Sequence, residues 1–364
     1  MTPNLLVHLH GPVGHVTGYG IHASSFAAAL ANLCEVTTTP WPADDQALAE
    51  VTRRLEVERR HRPVASIHLM PPQFFPPRSP DAGLSIGYFV WESDVLPATW
   101  RDACGRVDRV WTASAWGRAV LEAGGVAGPR IDVVPEGFDP ALFGPEGPRQ
   151  ATLAGDPRYK FLTIGKWEDR KYTESLVRAF DDEFRDDEDV ALVLGCSNPF
   201  VAGFDLGQRI RALGLKRPQA LLGMARVPDH AVIGSIYRSC DAFVAPSRAE
   251  GWGLPILEAM ASSLPTITTR YSAMTEYAHD GNALLLDYRL VPIPEPLGEE
   301  TADEAGHWAE PDIGQLRARM RWCVEHRDEA RALGRRAAAE VAGRWTWDLA
   351  AKRAVALISQ HLRD

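Results

Sequence analysis

The stretch APSRAEGWGLPILEAMASSLPTITT, starting at Ala245, holds the residues whose types and spacing say most about chemistry. An apolar strand over Ala242–Ala245 runs into a loop, Glu250-Gly251-Trp252-Gly253, and then into a helix over Leu254–Ala261. Pro255 marks the helix start, because proline is tolerated in the first turn, where its missing N–H had no partner to lose. A strand-loop-helix turn of this kind aims free backbone amides and the positive end of the helix dipole above the carboxyl edge of a sheet. That makes an anion site, and Gly251 and Gly253 let the backbone come close to a ligand. Two carboxylates frame the loop. Glu250 precedes it, and Glu258 stands one turn into the helix among Leu254, Ile256, Leu257, Ala259 and Met260. An ionised carboxylate in such surroundings requires hydrogen-bond donors, which the vicinal hydroxyls of a ribose supply. The plain alternative is a Glu258 on a solvated face that merely complements the helix dipole. The flanking glycines favour the ligand.

A second cluster, GKWEDRKY over 165–172, follows an apolar strand at Phe161–Ile164. Lys166, Arg170 and Lys171 crowd into it although the chain is acidic overall, with 39 Lys plus Arg against 48 Asp plus Glu and a formal net charge of −9. Ligands of open α/β sheets bind at this edge, and phosphate is the matching counter-charge. Pairing of one cation with Glu168 or Asp169 on the surface is the alternative. A third segment, GPVGHVTGYGIHASSF from Gly11, is a Gly-rich loop opening a helix. Its spacing does not fit a dinucleotide fingerprint, since Ala23 follows Gly18-x-Gly20 and Thr37, Thr38 and Thr39 stand where an acidic residue belongs. His8, His10, His15 and His22 fall too irregularly for a metal face, and the acidic run Asp186–Asp189 reads as a solvated turn. No Gly-x-Ser-x-Gly elbow occurs, and MPPQFFPPRSP from Met70 is a loop of polyproline character. No metal site is expected.

The elements that position these loops alternate. Strands are expected at Asn4–Leu9, Val36–Thr39, Val64–Leu69, Leu84–Val90, Val107–Thr112 and Ile131–Val134. Helices are expected at Ile21–Leu33, through Arg53 to Arg59, and over Ser114–Ala123. This is the βαβα pattern of a parallel sheet. The Pro- and Gly-dense segment after Phe138, DPALFGPEGPRQATLAGDPRYK, is the best domain boundary. A second series follows, with strands at Phe161–Ile164, Val190–Leu194, Leu221–Leu222 and Ala242–Ala245. Its helices are expected at Glu174–Phe184, Leu206–Leu213, His230–Arg238 and Leu254–Ala261. Two Rossmann-like halves result. Leu286–Pro311 is Pro-rich and acidic and reads as a surface excursion without regular structure. The chain ends in helices over Ile313–Glu325, Asp328–Ala342 and Trp347–Leu362.

At 364 residues with 24% charged side chains the chain has room for two ordinary globular domains, and its acidic balance excludes a protein that coats nucleic acid. Cys34, Cys104, Cys196, Cys240 and Cys323 form no close pair, which argues against a zinc site or a disulfide framework and for a reducing, cytoplasmic setting. The N-terminus lacks the basic start of a signal peptide, and no apolar run is long enough to span a membrane. Membrane association is not indicated.

PSRAEGWGLPILEAMA, with Glu250 and Glu258 eight positions apart, resembles the signature of retaining GT-B glycosyltransferases, especially family 4 of that class. TGYGIHASSF, YFVWESDVLPATW from Tyr88, VPEGFD from Val134, GKWEDRKY, HWAEPD from His307 and WTW from Trp345 extend the resemblance over nearly the whole chain. It implies a GT-B fold of two doubly wound parallel-sheet domains facing a cleft. An N-terminal acceptor-side domain is expected over 1–145 and a nucleotide-sugar domain over 146–343, with a C-terminal helix, 344–364, packing back on the first. It further implies a metal-independent, retaining transfer from a nucleotide-diphosphate sugar to an acceptor hydroxyl, with no bound cofactor. By matching positions, Lys166 and Lys171 hold the donor pyrophosphate, Glu258 the ribose and Glu250 the donor-sugar hydroxyls. Gly251, Trp252, Gly253 and Leu254 form the loop facing sugar and phosphate, and Gly18 lies beside donor phosphate and acceptor. The chain departs from the pattern in carrying Trp252 for the commoner Phe and Ser272-Ala273 for a Gly-Gly. Glu92 falls near the place of a donor-contacting His. Two rival readings share the same cradle: a GT-B epimerase or sugar-nucleotide hydrolase, and a non-catalytic nucleotide-sugar-binding partner of another transferase.

Overall fold

The structure, a computed structural model, describes residues 5–15, 17–41, 63–78, 83–224, 227, 229–294 and 305–363. The chain divides into two units. Unit 1 is Met1–Gly137 with Pro292–His307 and Trp345–Asp364, and unit 2 is Phe138–Val291 with Trp308–Arg344. The helix expected through Arg53 to Arg59 lies outside the described residues.

Unit 1 is built on β1 (Leu6–Gly11), β2 (Glu35–Pro40), β3 (Ala65–Leu69), β4 (Leu84–Tyr88), β5 (Arg109–Thr112) and β6 (Ile131–Val133). They form one sheet in the order β2-β1-β3-β4-β5-β6, and every pairing is parallel. β3 is buried along its whole length, as a parallel strand covered on both faces must be. Helices α1 (Gly18–Ala31), α2 (Ala98–Cys104) and α3 (Ala115–Ala123) connect them. Thr17 and Ser114 cap α1 and α3, their hydroxyls accepting the amides of Gly20 at 3.2 Å and Gly117 at 2.9 Å, which satisfies donors that a helix start leaves open.

Unit 2 repeats the plan with β7 (Tyr159–Lys166), β8 (Val190–Ser197), β9 (Leu221–Gly223), β10 (Ala242–Ala245), β11 (Thr266–Thr269) and β12 (Leu284–Leu286). Its sheet order is β12-β11-β10-β7-β8-β9, again all parallel. The helices are α4 (Ala151–Ala154), α5 (Thr173–Glu183), α6 (Leu206–Ala212), α7 (His230–Tyr237), α8 (Leu254–Ala261), α9 (Ile313–Glu325) and α10 (Arg327–Ala342). The strand order reverses between β7 and β10, so their carboxyl ends lie side by side at a topological switch point, where open α/β sheets hold ligands. GKWEDRKY spans the end of β7 and the loop after it, and the loop after β10 carries Glu250.

Three expectations change. The first is the boundary, which falls at Gly137/Phe138 and not after 145. The Pro- and Gly-rich stretch is pinned to unit 2 by Arg238, whose guanidinium donates to the carbonyls of Leu142, Gly144 and Pro148 at 2.9, 3.3 and 2.9 Å. The second is the excursion at 286–311, which contains two strands, β13 (Tyr288–Pro292) and β14 (His307–Pro311), paired with each other. Their partners are remote in sequence, so no tight-turn signal announces them. Residues 292–307 group with unit 1, where the Ser93 hydroxyl donates to Ala305 O at 2.6 Å and Asp94 Oδ1 accepts the His307 amide at 2.6 Å. The third is β7, which extends to Lys166 and so carries that lysine at the strand's last position.

The chain returns to unit 1 as α11 (Trp347–His361), which packs on α1 and bonds the end of the sheet through His361 to Asp132 at 3.0 Å. Gly137 makes this return possible: a Cβ there would stand 2.3 Å from both Thr346 C and Trp347 N. Backbone cannot yield as a side chain can, so Gly137→Ala is expected to destabilise unit 1 by about 1–3 kcal/mol. A lowered urea midpoint at unchanged slope checks it.

Candidate active site

Lys166, Lys171 and Glu250 line one cavity at the β7–β10 edge, with Thr163, Gly165 and Ser247 beside them and Pro255 and Ile256 of α8 closing it. The two lysines are not equivalent. Lys166 is about one-third exposed, 3.1 Å from Glu168, and its ammonium stands 5.1 Å from the Phe200 ring centroid. Lys171 turns inward. After a single 3-10 turn over Asp169–Lys171, Tyr172 adopts φ 57° and so reverses the chain into α5, a left-handed conformation uncommon for a residue with a side chain. The reversal sends Lys171 Nζ to 2.6 and 2.7 Å from the two Glu250 carboxylate oxygens.

Arg170 is buried beneath the pair. Its guanidinium donates to Glu250 Oε2 at 3.1 Å, to Ala249 O at 2.8 Å and to Glu168 Oε1 at 2.8 Å. Burial pushes the Glu250 carboxyl upward, but Lys171, then Arg170, and the Ser247 hydroxyl outweigh it and hold the group down at about 2. Burial pulls the Lys171 ammonium below its ordinary value, partly offset by Glu250. Glu250 is therefore ionised. Its position is fixed from behind, with its amide donating to Ser272 Oγ at 2.9 Å.

The Glu250–Gly253 turn is held by Tyr277, whose hydroxyl donates to Trp252 O at 2.7 Å while its ring stands 5.3 Å from the Trp252 ring. Trp252 is thus a buried packing residue, and Gly251, Trp252, Gly253 and Leu254 do not themselves line the cavity of Lys171 and Glu250. Gly253 sits at φ 95°, and a Cβ there would meet the Tyr277 hydroxyl at 2.7 Å. The left-handed glycine lets α8 start at Leu254; Pro255 has no N–H, and the Ile256 and Leu257 amides both donate to Gly253 O, at 2.9 and 3.3 Å.

Glu258 does not line that cavity. It is buried on α8, and its Oε2 lies 3.1 Å from the Tyr237 hydroxyl, which also reaches Pro255 O at 3.0 Å. A hydroxyl has one proton, so these acceptors compete for it. Burial raises the Glu258 carboxyl to about 7, only partly countered by Tyr237. The solvated-face alternative for Glu258 is excluded. Gly18 and Glu92 belong to unit 1. Gly18 begins α1, and the hydroxyl of the adjacent Tyr19 donates to Val90 O at 3.2 Å and accepts from Val90 N at 3.3 Å, two residues before Glu92.

The sequence left one cation of this cluster between a phosphate and a pair with Glu168 or Asp169; Lys166 and Arg170 both pair with Glu168, Lys166 on the exposed side and Arg170 buried, where it is also the second cation of Glu250. Tyr237 and Tyr277 were missed, since nothing in local spacing links residues on other segments to the Glu250 loop; Ser272 was noted only as a departure from a Gly-Gly, and its hydroxyl holds the Glu250 amide. Among the described residues no cluster of His, Cys, Asp and Glu could hold a metal ion.

Two parallel six-stranded sheets with this site define the GT-B class of fold. Sucrose-phosphate synthase of Thermosynechococcus elongatus superposes with a TM-score of 0.76 at 16% identity, covering 99% of both chains. Anabaena HepE, solved in complex with UDP-glucose, gives 0.72 at 14% identity, again over 99% of each. Within that class, residues 158–296 match the family described as Glycosyl transferases group 1. The D-inositol 3-phosphate glycosyltransferase of Nocardia farcinica is 30% identical over 250 residues, 63% of this chain and 47% of that protein. The match spans about half the length of that relative.

Proposed function

We propose that the chain is a retaining glycosyltransferase that moves a sugar from a nucleotide-diphosphate sugar to an acceptor hydroxyl without a metal ion, with the donor held on unit 2. The carrying observation is the meeting of Lys171, Arg170 and Glu250 with the Gly253 turn and the start of α8 at the β7–β10 switch point. Cleavage of the anomeric bond leaves negative charge on the β-phosphate. Lys166, Lys171 and the amides of the Gly251–Leu254 loop neutralise it as it develops. Glu250 receives the donor-sugar hydroxyls and Glu258 the ribose diol. Gly18 and Glu92 are assigned to contacts from unit 1, the acceptor side.

In a same-face displacement the acceptor oxygen bonds to the anomeric carbon as the bond to the phosphate oxygen breaks. The acceptor proton passes to the departing phosphate, so no protein base is needed. The kinship with group 1 transferases and the UDP-glucose complex of HepE support the reading. The five cysteines are free and buried, which agrees with placing the enzyme in the cytoplasm. Among the described residues no helix is long and apolar enough to cross a membrane.

The test is a thermal-shift screen of UDP-, GDP- and ADP-sugars, followed by product analysis. A donor at 100 times its Kd is expected to stabilise the protein by about 2.7 kcal/mol, and the α-configured donor should give an α-linked product by NMR. A β-linked product removes the retaining assignment. Free or isomerised sugar as the sole output favours the hydrolase or epimerase reading.

A further inference from the structure

Lys171, assigned to the diphosphate, is already held by a carboxylate of the protein that also binds its neighbour Arg170. Lys171 Nζ is 2.6 and 2.7 Å from Glu250 oxygens, and Arg170 is 3.1 Å from one of them. Glu250 is 5% exposed, so water can do little to replace these partners. In charge and in hydrogen-bond demand, a carboxylate on two cations imitates a phosphate oxygen pair. Any phosphate arriving at Lys171 must therefore displace Glu250 or share the ammonium with it, and like-charge repulsion in a dry pocket disfavours sharing.

Resting on the donor-site reading above, we infer that Glu250 is an internal placeholder: its carboxylate competes with the donor diphosphate for Lys171 and Arg170. When a sugar nucleotide binds, Glu250 yields the cations and turns its oxygens to the sugar hydroxyls, which offset the lost ion pair. A nucleoside diphosphate without its sugar offers no such hydroxyls. Glu250 then reclaims the cations, and the product is expelled. The same residue thus favours the loaded donor over the spent one.

The surroundings suit such an exchange. The Glu250 amide is pinned to Ser272 and the following turn to Tyr277, so the main chain stays put while the side chain changes partners. Lys166 is paired with Glu168 on the exposed side and is not held by Glu250. The site therefore holds three cations against two carboxylates, Glu168 and Glu250.

Calorimetric titration of UDP, GDP and ADP, and of the corresponding nucleosides, into wild-type protein, Glu250→Gln, Lys171→Met and the double variant tests the inference. Glu250→Gln is expected to bind the cognate nucleoside diphosphate at least about tenfold more tightly, to bind the nucleoside unchanged, and to lose selectivity for the sugar nucleotide over the diphosphate. The gain should shrink in the Lys171→Met background, because the freed ammonium produces most of it. Unchanged or weaker diphosphate binding by a Glu250→Gln protein that still holds the nucleoside overturns the inference and leaves the donor site standing. So does a gain that persists in full without Lys171. If Glu250→Gln no longer holds the nucleoside, Glu250→Asp, which keeps the charge on a shorter arm, takes its place: tighter diphosphate binding with the nucleoside retained supports the placeholder, and no gain overturns it. If none of the three diphosphates binds any form, the donor-site reading itself falls and the placeholder with it.

Discussion

Lys171→Met should lower sugar transfer by on the order of 10²-fold or more, with most of the loss in kcat. The ammonium lines the cavity and lies 2.6 Å from Glu250, the carboxylate that competes with the diphosphate for it. Its contribution grows as the glycosidic bond breaks, since charge on the phosphate is greatest then. The substitution also removes one of two cations from a buried carboxylate, and an unpaired buried charge costs stability. Arg170 still holds Glu250 at 3.1 Å, so the variant should remain folded with a lowered melting temperature. Adding Glu250→Gln removes the stranded charge and should recover the melting temperature without recovering turnover. A kcat within a few-fold of wild type in Lys171→Met overturns the electrostatic assignment.

Donor binding should release a proton near neutral pH through Glu258. Its carboxyl titrates at about 7 because it is buried, so near pH 7 it carries a proton much of the time. A ribose diol donating to it stabilises the ionised form and drives the proton off. Binding enthalpies in phosphate and Tris buffers should differ by up to one proton's ionisation heat at pH 6.5–7, with the difference fading well above pH 8. Glu258→Gln should abolish it, since an amide has no such proton.

The same group shapes stability. A folded value of about 7 against about 4.5 unfolded means the folded state binds more protons between those limits. Stability contributed by Glu258 is therefore complete below pH 4.5 and falls by roughly 3 kcal/mol as pH rises to 7. Glu250 behaves oppositely. Held at about 2, it contributes stability above pH 4.5 that disappears as pH falls toward 2. Urea titrations should show Glu258→Gln losing the decline between pH 5 and 7 while keeping the acid limb.

Much of the fold was written in local pattern. β10 and α8 fall at the residues expected from an apolar run, a glycine turn and Pro255, and α9 at Ile313–Glu325 follows from its three-four spacing. What failed was non-local. β13 and β14 are joined by pairing with each other, and composition along 286–311 hides that partnership behind prolines and acids. The boundary moved for a similar reason, because one arginine at 238 bonds carbonyls some ninety residues earlier. In the site, the sheet-edge placement was legible for Lys166, Lys171 and Glu250, which line one cavity, while Glu258 is buried on α8 outside it. The pairing of Lys171 with Glu250, and of Glu258 with Tyr237, depends on a left-handed Tyr172 and on β7 and β10 being neighbours. Neither can be read from spacing.

The chain passes from one unit to the other at Gly137, Val291, His307 and Arg344. During synthesis this imposes an order. The segment up to Gly137 carries β1 to β6, yet α1 lacks the helix that covers it until Trp345–Asp364 has been made. Unit 1 is begun before unit 2 and completed after it, and its apolar α1 surface stays open to chaperones, or to aggregation, while unit 2 is being made.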